Sequence, residues 1–118
     1  MNYPKTSRQK REKIVEYLLK NGYSNGDMHE KGYYTTHFKY LIPRVQGEQG
    51  CYIKVTTCNA HRNEWLVTAE IKLFYFIGAS EVSNWAKIYR VITDVSDMQR
   101  VNELAELLLN NRDLIMNQ

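Results

Sequence analysis

From Val67 to Leu73 the chain alternates: within the segment Glu64 to Ile77, Trp65, Val67, Ala69, Ile71 and Leu73 read as one face and Thr68, Glu70, Lys72 and Phe74 as the other. A period of two sends successive side chains to opposite faces of a strand. One face of that strand must therefore be buried, and a single pair of strands cannot bury it. The segment commits the chain to a sheet covered on one side, and two amphipathic segments at its ends can supply the cover. In the first, Thr6 or Ser7 can cap a helix whose positions Ile14, Val15, Leu18 and Leu19 recur with helical spacing. Asn21-Gly22 then ends it, with Gly22 suited to the left-handed position past a helix end. In the second, Ser96 with Gln99 forms a capping box, and Met98, Val101, Leu104, Ala105, Leu108 and Ile115 form one stripe.

Three further segments read as strands. From Tyr33 to Ile42, Tyr34, Thr36, Phe38, Tyr40 and Ile42 share the more apolar face, and Tyr33, Thr35, His37 and Lys39 share the other. From Cys51 to Cys58, Ile53 and Val55 oppose Tyr52, Lys54 and Thr56, and Asn59 to Asn63 is a hairpin-length turn. In residues 82–93, Trp85, Ile88, Tyr89 and Ile92 fit a helix, but the end of the segment, Tyr89 to Thr93, is rich in β-formers. The abrupt start of the last helix favours a strand. Residues 23–32 read as a loop and Gln46 to Gly50 as a turn. The expectation is an α+β fold of order αββββα: an antiparallel meander sheet of three to four strands flanked by an N-terminal and a C-terminal helix. Residues 1–118 make one domain on this reading, with 1–6 flexible.

A chain of 118 residues can bury a core without metal or disulfide staples. Its longest apolar run, Leu73 to Ile77, is strand-sized, far short of the roughly 18 residues of a membrane helix. The first residues are polar and basic, with no apolar core of a signal peptide. A soluble cytoplasmic protein with no membrane partner is expected. Cys51 and Cys58 would stand about 23 Å apart along one strand, too far for a disulfide, so both read as thiols.

The turn Cys58-Asn59-Ala60-His61-Arg62-Asn63-Glu64 holds the densest set of reactive groups. A thiol beside an imidazole, with Arg62 to stabilise negative charge, has the makings of a nucleophile and base. No third orienting residue or glycine-rich oxyanion loop accompanies them. Cys51, Cys58, His61 and His37 are of the types zinc prefers, yet they lack paired ligand spacing. No phosphate-loop or calcium-loop motif occurs. The leading reading is therefore non-catalytic, with no cofactor and no metal, and a small enzyme using the Cys58/His61 turn is the second alternative.

Two surfaces stand out as binding candidates. The outward sheet face gathers Tyr33, His37, Lys39, Tyr52, Lys54, Lys72 and Phe74, aromatic and basic groups of the kind that stack on bases or anchor interfaces. Helix 1 carries Lys10, Lys13, Tyr17 and Lys20 away from its apolar stripe. Net charge is +3, and residues 1–20 hold six cations against two carboxylates, leaving ten and eleven elsewhere. A dedicated nucleic-acid domain shows a broader basic footprint. A protein partner is thus the leading expectation, with nucleic acid the alternative and a homodimer also open. Leu66, Phe76 and Leu107 would add an apolar patch to such an interface. Small domains without catalytic motifs suit inhibitors or adaptors of the kind phages and plasmids carry.

Overall fold

A computed structural model describes residues 5–29, 34–42, 49–61, 64–77 and 80–111. The order is β1 (Thr6–Ser7), α1 (Arg8–Lys20), β2 (Asp27–His29), β3 (Tyr34–Ile42), β4 (Gln49–His61), β5 (Glu64–Ile77), β6 (Ser80–Ile92) and α2 (Val95–Asn110). All six strands join one antiparallel sheet. The α+β expectation holds, and the ambiguous segment 82–93 is a strand. Two short strands were not legible: β1 lies where Thr6 or Ser7 reads only as a helix cap, and β2 lies in the expected loop.

Strand β5 is the longest strand and lies one in from the edge of the sheet. It pairs with β4 on one side and with β6 on the other, and β1 continues the β6 edge at Trp65 and Glu64. Thr6 fastens that junction by donating from Oγ1 to the Ile92 carbonyl at 3.0 Å. The inward residues of β4 and β5 (Ile53 and Val55, then Val67, Ala69 and Ile71) meet Ile14 and Leu18 of α1 and Met98, Val101 and Ala105 of α2. Both helices thus cover one face, as the alternation of β5 demands. Among the described residues no helix is long and apolar enough to cross a membrane.

Local chemistry sets the helix ends. Ser7 is extended and its Oγ accepts from the Lys10 amide at 3.3 Å, capping α1. At the other end Tyr23 N–H returns to the Leu18 carbonyl at 3.0 Å, while Gly22 takes the left-handed turn at φ 85°. Helix α2 begins earlier than the Ser96/Gln99 box implied. Asp94 is the cap, its Oδ1 accepting from the Asp97 amide at 3.0 Å and from Ser96 Oγ at 2.6 Å. Asp97 Oδ2 in turn accepts from the amide and hydroxyl of Thr93 at 2.8 and 2.9 Å. A carboxylate reaches these donors with charge, which a serine hydroxyl cannot match, so the acidic pair wins the boundary. The Ser96 hydroxyl and the Asp97 amide together hold the Asp94 carboxyl below its ordinary pKa.

Segment 23–29 folds against β3 rather than looping away. Ser24 exchanges hydrogen bonds with the Phe38 backbone at 2.8 and 2.9 Å, and β2 pairs with Tyr34 to Thr36. Gly26 makes this approach possible. A Cβ there would collide with Thr35 Cγ2 and stand 3.0 Å from His37 Cε1 and Nε2. Gly26→Ala is therefore expected to cost about 1–3 kcal/mol through overpacking, read as a lowered urea midpoint. A midpoint equal to that of the parent would mean the segment yields without cost.

Candidate functional site

On β3 the structure reverses the expected faces. His37 pairs with Val55 and Lys39 with Ile53, which puts both on the helix side of the sheet. His37 is only 3% exposed, and its Nδ1 lies 2.9 Å from the Ser24 carbonyl oxygen. Lys39 reaches over the ring of buried Tyr23, 5.7 Å from its centroid. The reason is register. The apolar residues of β4 face the helices, and their direct partners on β3 must follow them, whatever the polarity of β3 itself. The helices do not extend over β3, and segment 23–26 covers its polar side instead. His37 and Lys39 leave the proposed outward face, and Tyr33 lies outside the described residues.

What replaces them is a denser aromatic surface. Phe38 and Tyr40 come round to join Tyr52, Lys54, Lys72 and Phe74. Phe38 stacks on Tyr40 with centroids 6.1 Å apart. Tyr52 meets Phe38 edge-on at 5.6 Å, Tyr40 at 5.8 Å and Phe74 at 5.5 Å. Such tilted and offset rings at this spacing attract one another beyond their buried area. Lys54 Nζ sits 5.9 Å from the Phe38 centroid, and Lys72 Nζ lies 6.0 and 5.8 Å from those of Tyr52 and Phe74. Lys87, on β6, ion-pairs with Glu70 at 3.5 Å. Beside these rings Lys54, Lys72 and Lys87 stand with the carboxylate of Glu70, while Glu64 lies at the far end of β5. Tyr40 is 48% exposed, whereas Phe74 is 1% exposed. The run therefore has a buried root and an open end. The signal in the sequence was the pair Phe38 and Tyr40, whose alternation matched that of Tyr52 once the register was known.

In the α1 stripe Lys10, Lys13 and Lys20 are exposed, and only Tyr17 departs from it. Tyr17 turns inward, packs against the core and accepts a hydrogen bond from Asn102 Nδ2 at 2.8 Å. Tyr23 donates to Asn102 Oδ1 at 2.9 Å, so one amide ties α1, its exit turn and α2 together. Burial, aided by Tyr17, raises the Tyr23 pKa well above the ordinary tyrosine value. Lys20 is held at 2.8 Å by Glu16, and Lys10 and Lys13 line a cleft that contains Asp94. Tyrosine belongs to the apolar stripe here because positions 14, 17, 18 and 21 lie along one side of a helix.

Near the α1 start, the Arg11 guanidinium stacks 4.2 Å over the Trp65 ring, and burial lowers its pKa from the ordinary arginine value. Arg11 Nε, Trp65 Nε1, Thr57 Oγ1 and Asn59 Oδ1 are buried without a hydrogen-bond partner. Asn59 faces Trp65 directly across the β4–β5 pair. The corner offers donors and acceptors of hydrogen bonds. Cys51 is buried on the helix face, while Cys58 is half-buried, and neither forms a disulfide. The His61 side chain, Arg62 and Asn63 lie outside the described residues, and with them the proposed thiol–imidazole pairing. Among the described residues, no group of three or more metal-ligating side chains gathers. Compared with known proteins, the chain matches no family model, no characterised sequence and no solved structure.

Proposed function

We propose that the chain is a non-catalytic binding module that docks an acidic protein surface on the sheet face opposite its helices, in the manner of a small inhibitor or adaptor. One observation carries this reading: Tyr40, Phe38, Tyr52 and Phe74 form a continuous aromatic run whose lysines outnumber its carboxylates. Interfaces concentrate binding energy in aromatic anchors with charged rims. The buried root fixes the rings in place, so a partner loses little freedom in ordering them.

The test pairs two substitutions at the open end of the run, Tyr40→Ala with Lys54→Glu. The tagged chain is used to capture partners from its native host, with and without nuclease. The expected result is a protein captured in both conditions by the parent, and at least about tenfold less by the double variant, since interface anchors of this type are worth upwards of 2 kcal/mol. Full capture by a folded double variant would remove this face from the account.

A single-stranded nucleic acid is the second reading, favoured by the lysines that lie over the same rings. Bases stack on aromatic rings while lysines follow phosphates. Capture that disappears with nuclease and falls steeply with salt would select it. On α1 this reading keeps the exposed Lys10, Lys13 and Lys20 but loses Tyr17, which turns inward.

A further inference from the structure

Strand β6 is hydrogen-bonded to β5 along one edge, and among the described residues no strand pairs with its other edge. An open edge of this length is a template for another strand unless it is guarded. Two clefts flank it at the same place. On the helix side, a cleft of about 310 Å³ lies between β6 and α2, lined by Val101 and Leu104 and by Arg90 and Arg100, two guanidinium groups against the one carboxylate of Asp97. On the opposite side, a cleft of about 400 Å³ is lined by Leu66, Thr68, Tyr89, Arg90 and Val91. The pairing explains the split: Arg90 stands opposite Ala69 and so belongs to the helix side, while Tyr89 and Val91 stand opposite Glu70 and Thr68 on the other.

This is the layout strand addition requires. An added strand takes main-chain hydrogen bonds from the edge and sends alternate side chains to opposite faces. Here one face offers two guanidinium groups and the other an apolar patch containing Leu66, Val91 and the 59%-exposed ring of Tyr89. Among the described residues Arg90 has no carboxylate partner; its Nη1 donates to the adjacent Tyr89 carbonyl at 2.9 Å. Arg100 holds Asp97 loosely, at 3.7 Å. Arg90 is thus held by a neutral main-chain carbonyl, and an incoming carboxylate is the group best suited to draw it off.

We infer that β6 is a strand-addition site for an extended, acidic segment of a partner protein, its acidic side chains entering the Arg90–Arg100 cleft and its alternate apolar side chains the Leu66–Tyr89–Val91 cleft. The site is separate from the Tyr40–Tyr52 run and stands or falls without it.

The probe is a short capped peptide of alternating valine and glutamate, titrated into the isotopically labelled chain and followed by amide chemical shifts. Shifts concentrated in residues 87–92 are expected. Arg90→Glu with Arg100→Glu should weaken binding by about five- to tenfold, the range for reversing two exposed ion pairs. The Tyr40→Ala, Lys54→Glu variant should bind the peptide like the parent. A valine–lysine peptide, and a valine–glutamate peptide N-methylated at alternate residues, should fail to bind. Three results would overturn the inference: no shift in β6 at millimolar peptide, binding that survives N-methylation, or β6 shifts that instead track the concentration of the chain alone, which would make the edge a contact between two copies.

Discussion

Phe74→Ala is expected to destabilise the fold by about 3–5 kcal/mol, even though Phe74 belongs to the face the helices leave uncovered. Its alternation is that of Lys72 and Glu70, yet its ring is 1% exposed and packs at 5.5 Å against Tyr52. Removing it deletes buried area and leaves the Tyr52 ring without its neighbour. Tyr40→Ala sits at the other end of the same run, where 48% of the residue meets solvent, and is expected to cost under about 1 kcal/mol. Urea unfolding of the two variants measures both. The contrast divides the aromatic face into a root that holds the sheet and a tip available to a partner. Loss of partner capture by Phe74→Ala would consequently say nothing about contact, whereas the same loss in Tyr40→Ala would. A Phe74→Ala midpoint within error of the parent would mean the ring is buried without supporting the fold.

The parts of this fold that were legible are those in which one strand or helix decides its own face. The alternation of β5 named Trp65, Val67, Ala69, Ile71 and Leu73 as inward, and of these Val67, Ala69, Ile71 and Leu73 are fully buried. The stripes of the two helices named Ile14, Leu18, Met98, Val101 and Ala105, which share the same core. Strand β3 was legible as a strand but its facing was not, because both of its alternating sets mix aromatic and polar residues. Its face is chosen by β4, and cross-strand register is a property of the pair. The error propagates into the candidate site: the alternation alone puts His37 and Lys39 on the outward face and Phe38 and Tyr40 on the other. Strands β1 and β2 escaped for a different reason. Two or three residues are too few to show a period, and each exists only because a longer neighbour offers it an edge. Tyr17 misled because a tyrosine among lysines looks solvated, whereas its hydroxyl finds Asn102 across the helix pair.

The burial of β5 on both flanks leads to the second large effect. Ile71 stands opposite Ile53 of β4 and Ile88 of β6, so three isoleucines form a row across the middle of the sheet. It is 1% exposed and belongs to the cluster that joins both helices to the sheet. Ile71→Ala removes three carbons from a position where the neighbouring β-branched side chains have few rotamers with which to refill the space. A cost of about 2–5 kcal/mol is expected, against total stabilities of about 5–15 kcal/mol for single domains. Because the row is shared by β4, β5 and β6 and lies beneath both helices, the loss should be felt everywhere at once. Far-ultraviolet circular dichroism, which reads mainly α1 and α2, and tryptophan fluorescence, which includes Trp65 on β5, should shift to the same lower urea midpoint. Separated midpoints would show that the helices and the sheet do not unfold as one unit. The surfaces proposed for partners would then rest on a sheet whose stability is set independently of the helices behind it.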